Sequence, residues 1–224
     1  DILDIRGVEH GMSLKRRLLF VTALSGCIGW WFYAKVGVTT IAIPFFGFVP
    51  IGIFIIPLFI AMSLSLYASG VIDGVDGLAG GVFAIIFAAY AFIAFEQGQS
   101  DIAAFSLMLV GALLAFTWFN IPPARFYMGE TGMMGLTITL ATLAFLTDSV
   151  LILPVVALPL VITTASVLIQ LASKKWRNGK RVFRLAPLHH HFIAIGWSPF
   201  KVTMRYWVLS VVFSVIGIIL VIVS

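Results

Sequence analysis

Cysteine is almost missing from this chain: Cys27 stands alone, inside an apolar run. An intrachain disulfide is therefore excluded. With no cysteine partner and no second, spaced histidine cluster, a transition-metal centre is not completed either. Cys27 itself reads as a thiol packed in a core. Charge is nearly as scarce, since 10% of the residues are Asp, Glu, Lys or Arg while 61% are hydrophobic and the mean hydropathy is +1.12. A soluble domain carries roughly a quarter charged residues, so that class is excluded too. Internal repeats and low-complexity tracts are absent. The polar stretch 1–17 begins on Asp1 and has no positive n-region and no cleavage site, so it is not a signal peptide. The sequence reads as a fragment of a longer protein.

What fills the chain is apolar runs long enough to cross about 30 Å of hydrocarbon. Their pattern gives about seven spans, near 17–34, 50–68, 78–95, 102–119, 131–147, 150–172 and 204–223. In hydrocarbon each span must satisfy its own backbone hydrogen bonds, so the spans are helices. The expected fold is all-α, a polytopic helical membrane bundle forming a single domain over 1–224. Residues 35–50, with Gly37, Pro44, Gly47 and Pro50, read as a loop able to fold back as a short hairpin. If the spans alternate, one face receives every Lys and Arg except Lys35, and that face is expected to be cytoplasmic. The same face holds Asp1, Asp4, Asp73, Asp76, Asn120, Glu130 and all four histidines. A net charge of +5 so arranged is a local field suited to acidic headgroups or a polyphosphate. Topogenic signalling alone would produce the same bias.

Four stretches on that face carry groups able to do chemistry. In 72–79 two Asp-Gly pairs bring the Asp73 and Asp76 carboxylates close together where the chain turns into a helix, an arrangement fit for a divalent ion or a sugar hydroxyl. Ordinary turn and N-cap aspartates would give the same letters. Carboxylates flush with a membrane span are costly, which favours function. In 120–132 prolines stop one helix and Gly129 begins the next, so Glu130 sits near a helix N-terminus that can hold phosphate, or the metal that holds phosphate; charge compensation of the helix dipole is the simpler alternative. The basic segment 174–205 contains His189, His190 and His191. One or two of these imidazoles facing phosphate, with the third structural, is the expected arrangement, because three adjacent side chains cannot easily face one ion. The fourth stretch, 1–15, is a polar lead into a helix.

In combination the motifs resemble a known family. Asp-Gly-x-Asp-Gly-Leu-Ala at 73–79, Asn-x-x-Pro-Ala-x-x-x-Met-Gly-acid-Thr-Gly at 120–132, and Pro-Leu-His-His-His-Phe at 187–192 followed by Gly196, Trp197, Lys201, Arg205 and Trp207 are similar, in this order, to the polyprenyl-phosphate N-acetylhexosamine-1-phosphate transferases. The triple histidine points to their phospho-N-acetylmuramoyl-pentapeptide transferase branch. The resemblance covers essentially the whole chain. It implies a ten-helix fold whose first helices precede this sequence, with Asp1 as the second residue of an Asp-Asp motif. It also implies transfer of phospho-N-acetylmuramoyl-pentapeptide from its UDP carrier to undecaprenyl phosphate, giving lipid I and UMP at the cytoplasmic face of the bacterial inner membrane. Magnesium is the implied cofactor, held by Glu130 and Asp73. Asp1, Asp73 and His189 are the implied catalytic residues, and Asp76, Asn120, His190 and His191 the implied substrate contacts. Membrane lipids are further partners, a homodimer is compatible with the resemblance, and no nucleic acid is involved.

The chain also departs from the family pattern. Glu130 stands where Asp is usual, Tyr67 and Gly70 replace asparagines, and Asp4 replaces a lysine, the last being closer to the GlcNAc-1-phosphate branch. Another UDP-N-acetylhexosamine therefore stays open as substrate, as does a scaffold that keeps the fold without the chemistry. A transporter would instead show charges near mid-membrane, and these span interiors are nearly free of them.

Overall fold

The structure is a computed structural model and describes residues 13–224. Helix α1 (Leu14–Trp31) widens into one turn of π-helix over Phe32–Val36 and ends at Gly37, whose φ of +75° suits a residue without Cβ. Strands β1 (Thr40–Ile43) and β2 (Gly47–Pro50) pair antiparallel with Ile43 opposite Gly47, forming the expected hairpin. Then come α2 (Ile55–Ala68), α3 (Leu78–Glu96), α4 (Ser100–Asn120), α5 (Gly129–Leu146), the short α6 (Leu153–Val156), α7 (Leu158–Trp176), the short α8 (Leu188–Ala194) and α9 (Pro199–Val223). A 3-10 turn precedes α2 and another, Ser69–Ile72, follows it. Apart from the hairpin the described fold is helical, as the apolar runs require.

Among the described residues, six stretches are long and apolar enough to cross a bilayer: Leu14–Val36, Gly52–Ile72, Leu78–Glu96, Ser100–Asn120, Gly129–Leu146 and Pro199–Val223. The expected single span at 150–172 is corrected: it is divided at Ala157 into α6 and α7. Pro154 and Pro159 each sit in the first turn of one of the two pieces, where a missing N–H costs nothing, and neither could sit in mid-helix without removing a bond. Toward its C-terminal end α7 also carries Ser166, Gln170 and Ser173, all buried, which lower its hydropathy.

Helix α3 is the axis of the bundle, with all but a few of its side chains buried. Lipid is as apolar as the helices, so association rests on close packing and small residues rather than on a hydrophobic drive. Gly80 and Gly81 supply it: a Cβ at Gly80 would strike Thr117 and Phe116 of α4, and one at Gly81 would strike the indole of Trp207 on α9. Toward the hairpin end, Phe32, Phe59 and Phe145 pack with ring centroids 4.9–5.7 Å apart. The loops there are tied together by Gln97, which donates to the Thr147 carbonyl at 2.9 Å, and Gln99, which donates to that of Leu146 at 3.1 Å. Cys27 is exposed on α1 rather than packed in the core, since Ser25 and Gly29 are the residues that α1 buries around it.

Candidate functional site

At the opposite end of the bundle, three segments far apart in sequence converge. The turn 73–77 follows the 3-10 turn after α2 and ends at Gly77, whose φ of +73° lets the chain reverse into α3. The Gly77 N–H donates to Asn120 Oδ1 at 2.9 Å, and Asn120 Nδ2 donates to the Phe126 carbonyl at 2.9 Å. Asn120 is buried, so its amide is spent on joining the two loops. Its place is that of a positioning residue, and it does not line the cleft as a free substrate contact. One Asp76 oxygen accepts from the Ala124 N–H at 3.2 Å, while from α9 the Thr203 hydroxyl and the Trp207 indole donate to the Asp76 and Gly77 carbonyls, each at 3.1 Å.

Asn120→Leu is expected to lower the melting temperature of the purified protein, because Gly77 N–H and the Phe126 carbonyl lose buried partners worth about 1–3 kcal/mol each. An unchanged melting curve would mean that water replaces the amide.

Asp73 and Glu130 line one cleft of about 470 Å³, with Arg17, Tyr67, Tyr127 and Gly129 among its walls. Desolvation pushes the Asp73 carboxyl above its ordinary value of 3.8, and the nearby Gly129 backbone draws it partly back. Glu130 lies in the first turn of α5 as expected, but its carboxylate is ion-paired with Arg17 of α1. No group of three or more His, Cys, Asp or Glu side chains is gathered closely enough to hold a metal by itself among the described residues. The donor set fits magnesium all the same, since that ion is commonly held by one or two carboxylates and completes its shell with water and substrate phosphate.

The histidines lie in α8 rather than in an open loop, and helical phase divides them. His189 and His190 face Gly74: a Cβ built there would lie 2.9 Å from His189 Nε2 and 2.8 Å from His190 Nε2. The rings of His189 and His190 are 4.4 Å apart. His191 turns aside, its Nδ1 accepting from the Arg184 N–H at 3.1 Å and its ring lying edge-on to Phe183. It is not brought to the Asp-Gly turn. His189 is fully buried and neither ring nitrogen has a hydrogen-bond partner. Desolvation, helped by His190, lowers its pKa from 6.5 to about 3, so the imidazole is neutral near pH 7. The stability this group contributes is complete above pH 6.5 and is lost as the pH falls toward 3. A buried imidazole with one donor and one acceptor both unused, set against an acidic turn, is a group awaiting a ligand. Asp1 and Asp4 lie outside the described residues.

The sequence did not single out the residues that hold α8 in place. Ser166 accepts from the Leu188 N–H at 2.9 Å, Gln170 bonds Val182 and Phe183 through both ends of its amide, and Ser173 donates to the Lys180 carbonyl at 2.8 Å. Their spacing of four and three residues on one face of α7 was the available signal. Arg17 carried none.

Comparison with known proteins gives a consistent picture. The family model described as glycosyl transferase family 4 matches residues 4–148. A phospho-N-acetylmuramoyl-pentapeptide-transferase of Anoxybacillus flavithermus is 47% identical over 146 residues, which are 65% of this chain and 45% of that protein. The protein of the same name from Bacillus subtilis is 41% identical over 165 residues, 74% of this chain and 50% of the relative. That from Clostridium perfringens is 36% identical over 225 residues, 97% of this chain and 68% of the relative. The chain thus spans about half the length of most of the curated relatives it matches.

Proposed function

Since this chain belongs to glycosyl transferase family 4, we propose that, within its full-length protein, it transfers phospho-N-acetylmuramoyl-pentapeptide from the UDP-linked precursor to undecaprenyl phosphate, forming lipid I and UMP. A lipid phosphate oxygen attacks the sugar-bearing phosphorus, the bond to the UMP oxygen breaks, and UMP leaves with the electron pair. The observation that carries this reading is the meeting of Asp73, Glu130 and the unpartnered His189 at one end of a membrane bundle. Such a reaction needs an anionic diphosphate neutralised and a lipid nucleophile brought in line. Asp73 and Glu130 would hold magnesium, which when bound supplies charge neutralisation to the diphosphate. His189 and His190 donate to phosphate oxygens, and Asp76 and Asn120 keep the two loops in register. An apolar groove of about 610 Å³ between α2 and the α6–α7 pair, walled by Met62, Leu160, Leu168 and their neighbours, reaches Ser69 just before the Asp73 turn. It gives a lipid chain a place beside the site. The concentration of Lys and Arg on this end supports a cytoplasmic orientation in a bacterial membrane.

The test is UMP release by the full-length protein in detergent with undecaprenyl phosphate and magnesium, offering UDP-N-acetylmuramoyl-pentapeptide and UDP-N-acetylglucosamine in parallel. Turnover of the muramoyl substrate alone is expected. Turnover of the glucosamine substrate alone would move the chain to the sibling branch to which Asp4 points, and no UMP from either, with folded protein, would overturn the reading.

Glu130→Asp is expected not to reduce turnover, because the shorter carboxylate still reaches the cleft and is freed from Arg17. A magnesium titration of UMP release checks this. A loss of ~10-fold or more would show that the site is built around the longer side chain.

A further inference from the structure

A second cluster lies outside the Asp73 cleft, where α8 passes into α9. The Trp197 indole stacks on Phe192, with centroids 4.6 Å apart and planes 15° apart. The Arg205 guanidinium lies 4.1 Å from the indole centroid and the Lys201 ammonium 5.0 Å from it. Two cations drawn to one ring repel each other, and an anion seated between them relieves that repulsion. The ion pair between Arg17 and Glu130 is the only one among the described residues, so no described carboxylate serves as that anion. Phe192, Trp197 and Arg205 also wall a cavity of about 360 Å³ that continues along Val208 and Leu209. Lys201, Arg205, Val208 and Leu209 are exposed and share one face of α9, while the intervening Val202 and Tyr206 are buried. The face therefore reads as two cations and an indole over the helix's first turns, with an aliphatic wall directly below. None of these residues lines the Asp73 cleft.

We infer that Trp197, Lys201 and Arg205 bind the headgroup of an anionic phospholipid, with an acyl chain laid along Val208 and Leu209. Tryptophan favours the membrane interface, basic side chains there attract acidic lipids, and the cavity joins the two environments a phospholipid needs. A free phosphate would satisfy the cations and leave the aliphatic wall without an occupant.

The test is lipid binding to the delipidated full-length protein in neutral detergent, read by native mass spectrometry as phosphatidylglycerol and phosphatidylcholine are titrated in separately. The wild type is expected to hold phosphatidylglycerol about 30-fold more tightly than phosphatidylcholine, the order two basic side chains give at an acidic surface. The pair of changes Lys201→Gln and Arg205→Gln, both at exposed positions, is expected to abolish the preference. The control pair Lys174→Gln and Lys175→Gln, which removes the same charge from the end of α7, is expected to keep it. Equal loss in both pairs would reduce the effect to general charge and overturn the inference. So would a preference that survives Lys201→Gln and Arg205→Gln, or displacement of the lipid by millimolar inorganic phosphate.

Discussion

Asp73→Asn in the full-length protein is expected to abolish magnesium-dependent UMP release, by ~10³-fold or more, while leaving the protein folded. The two side chains have the same shape, and Asn Oδ1 still presents an acceptor to the nearby Gly129 backbone. What disappears is the negative charge, and with it the hard ligand that a divalent cation and the diphosphate require in the cleft shared with Glu130. The direction of the Asp73 pKa makes the test clean. Burial raises it, so at neutral pH the ionised carboxylate is held against a desolvation penalty that the amide does not carry. The melting temperature should accordingly stay level or rise. Near-normal turnover would remove Asp73 from the site; lost turnover with a collapsed melting curve would make the residue structural.

The parts of this site that were legible in sequence are those in which chemistry and backbone share the same letters. Asp73-Gly74 and Asp76-Gly77 name both the carboxylates and the turn that presents them. Gly129-Glu130 names both a helix start and its acid, and the apolar runs name the bundle. Relations across the fold were not legible. The phase of a helix of seven residues decides which imidazoles meet Gly74; the residues led to one or two facing phosphate with the third structural, but three adjacent histidine letters do not say which, and the resemblance counted His191, which the structure sets apart, among the contacts. Asn120 was named as a substrate contact by the resemblance alone. Its partners Gly77 and Phe126 are fixed only when the loops meet. The pairing of Glu130 with Arg17 was not legible because the two are distant in sequence. The single span at 150–172 failed for another reason: hydropathy averages over prolines that membranes tolerate in helices, and only the backbone shows that Pro154 and Pro159 begin two separate pieces.

Gly74→Ala tests the joining of the acidic turn to the histidines, which is the step on which the proposed chemistry depends. The backbone at Gly74 is not in the left-handed region, so the added methyl introduces no conformational strain of its own; its effect comes from what it touches. At 2.8 and 2.9 Å from two imidazole nitrogens it is closer than carbon and nitrogen tolerate, so a ring must move. His190 is partly exposed and can give way. His189 is fully buried with Tyr206 on one side, and its displacement shifts the turn that carries Asp73 and Asp76 instead. A misplacement of about 1 Å among reacting groups costs on the order of 10²-fold in rate, and that fall in kcat is the expected result. Combined with His189→Ala, which opens the space the methyl needs, Gly74→Ala should add little further loss, because both changes act on the same contact. Independent, multiplying losses would mean that Gly74 and His189 act separately, and unchanged turnover in Gly74→Ala would show that the histidines do not close on the turn during catalysis.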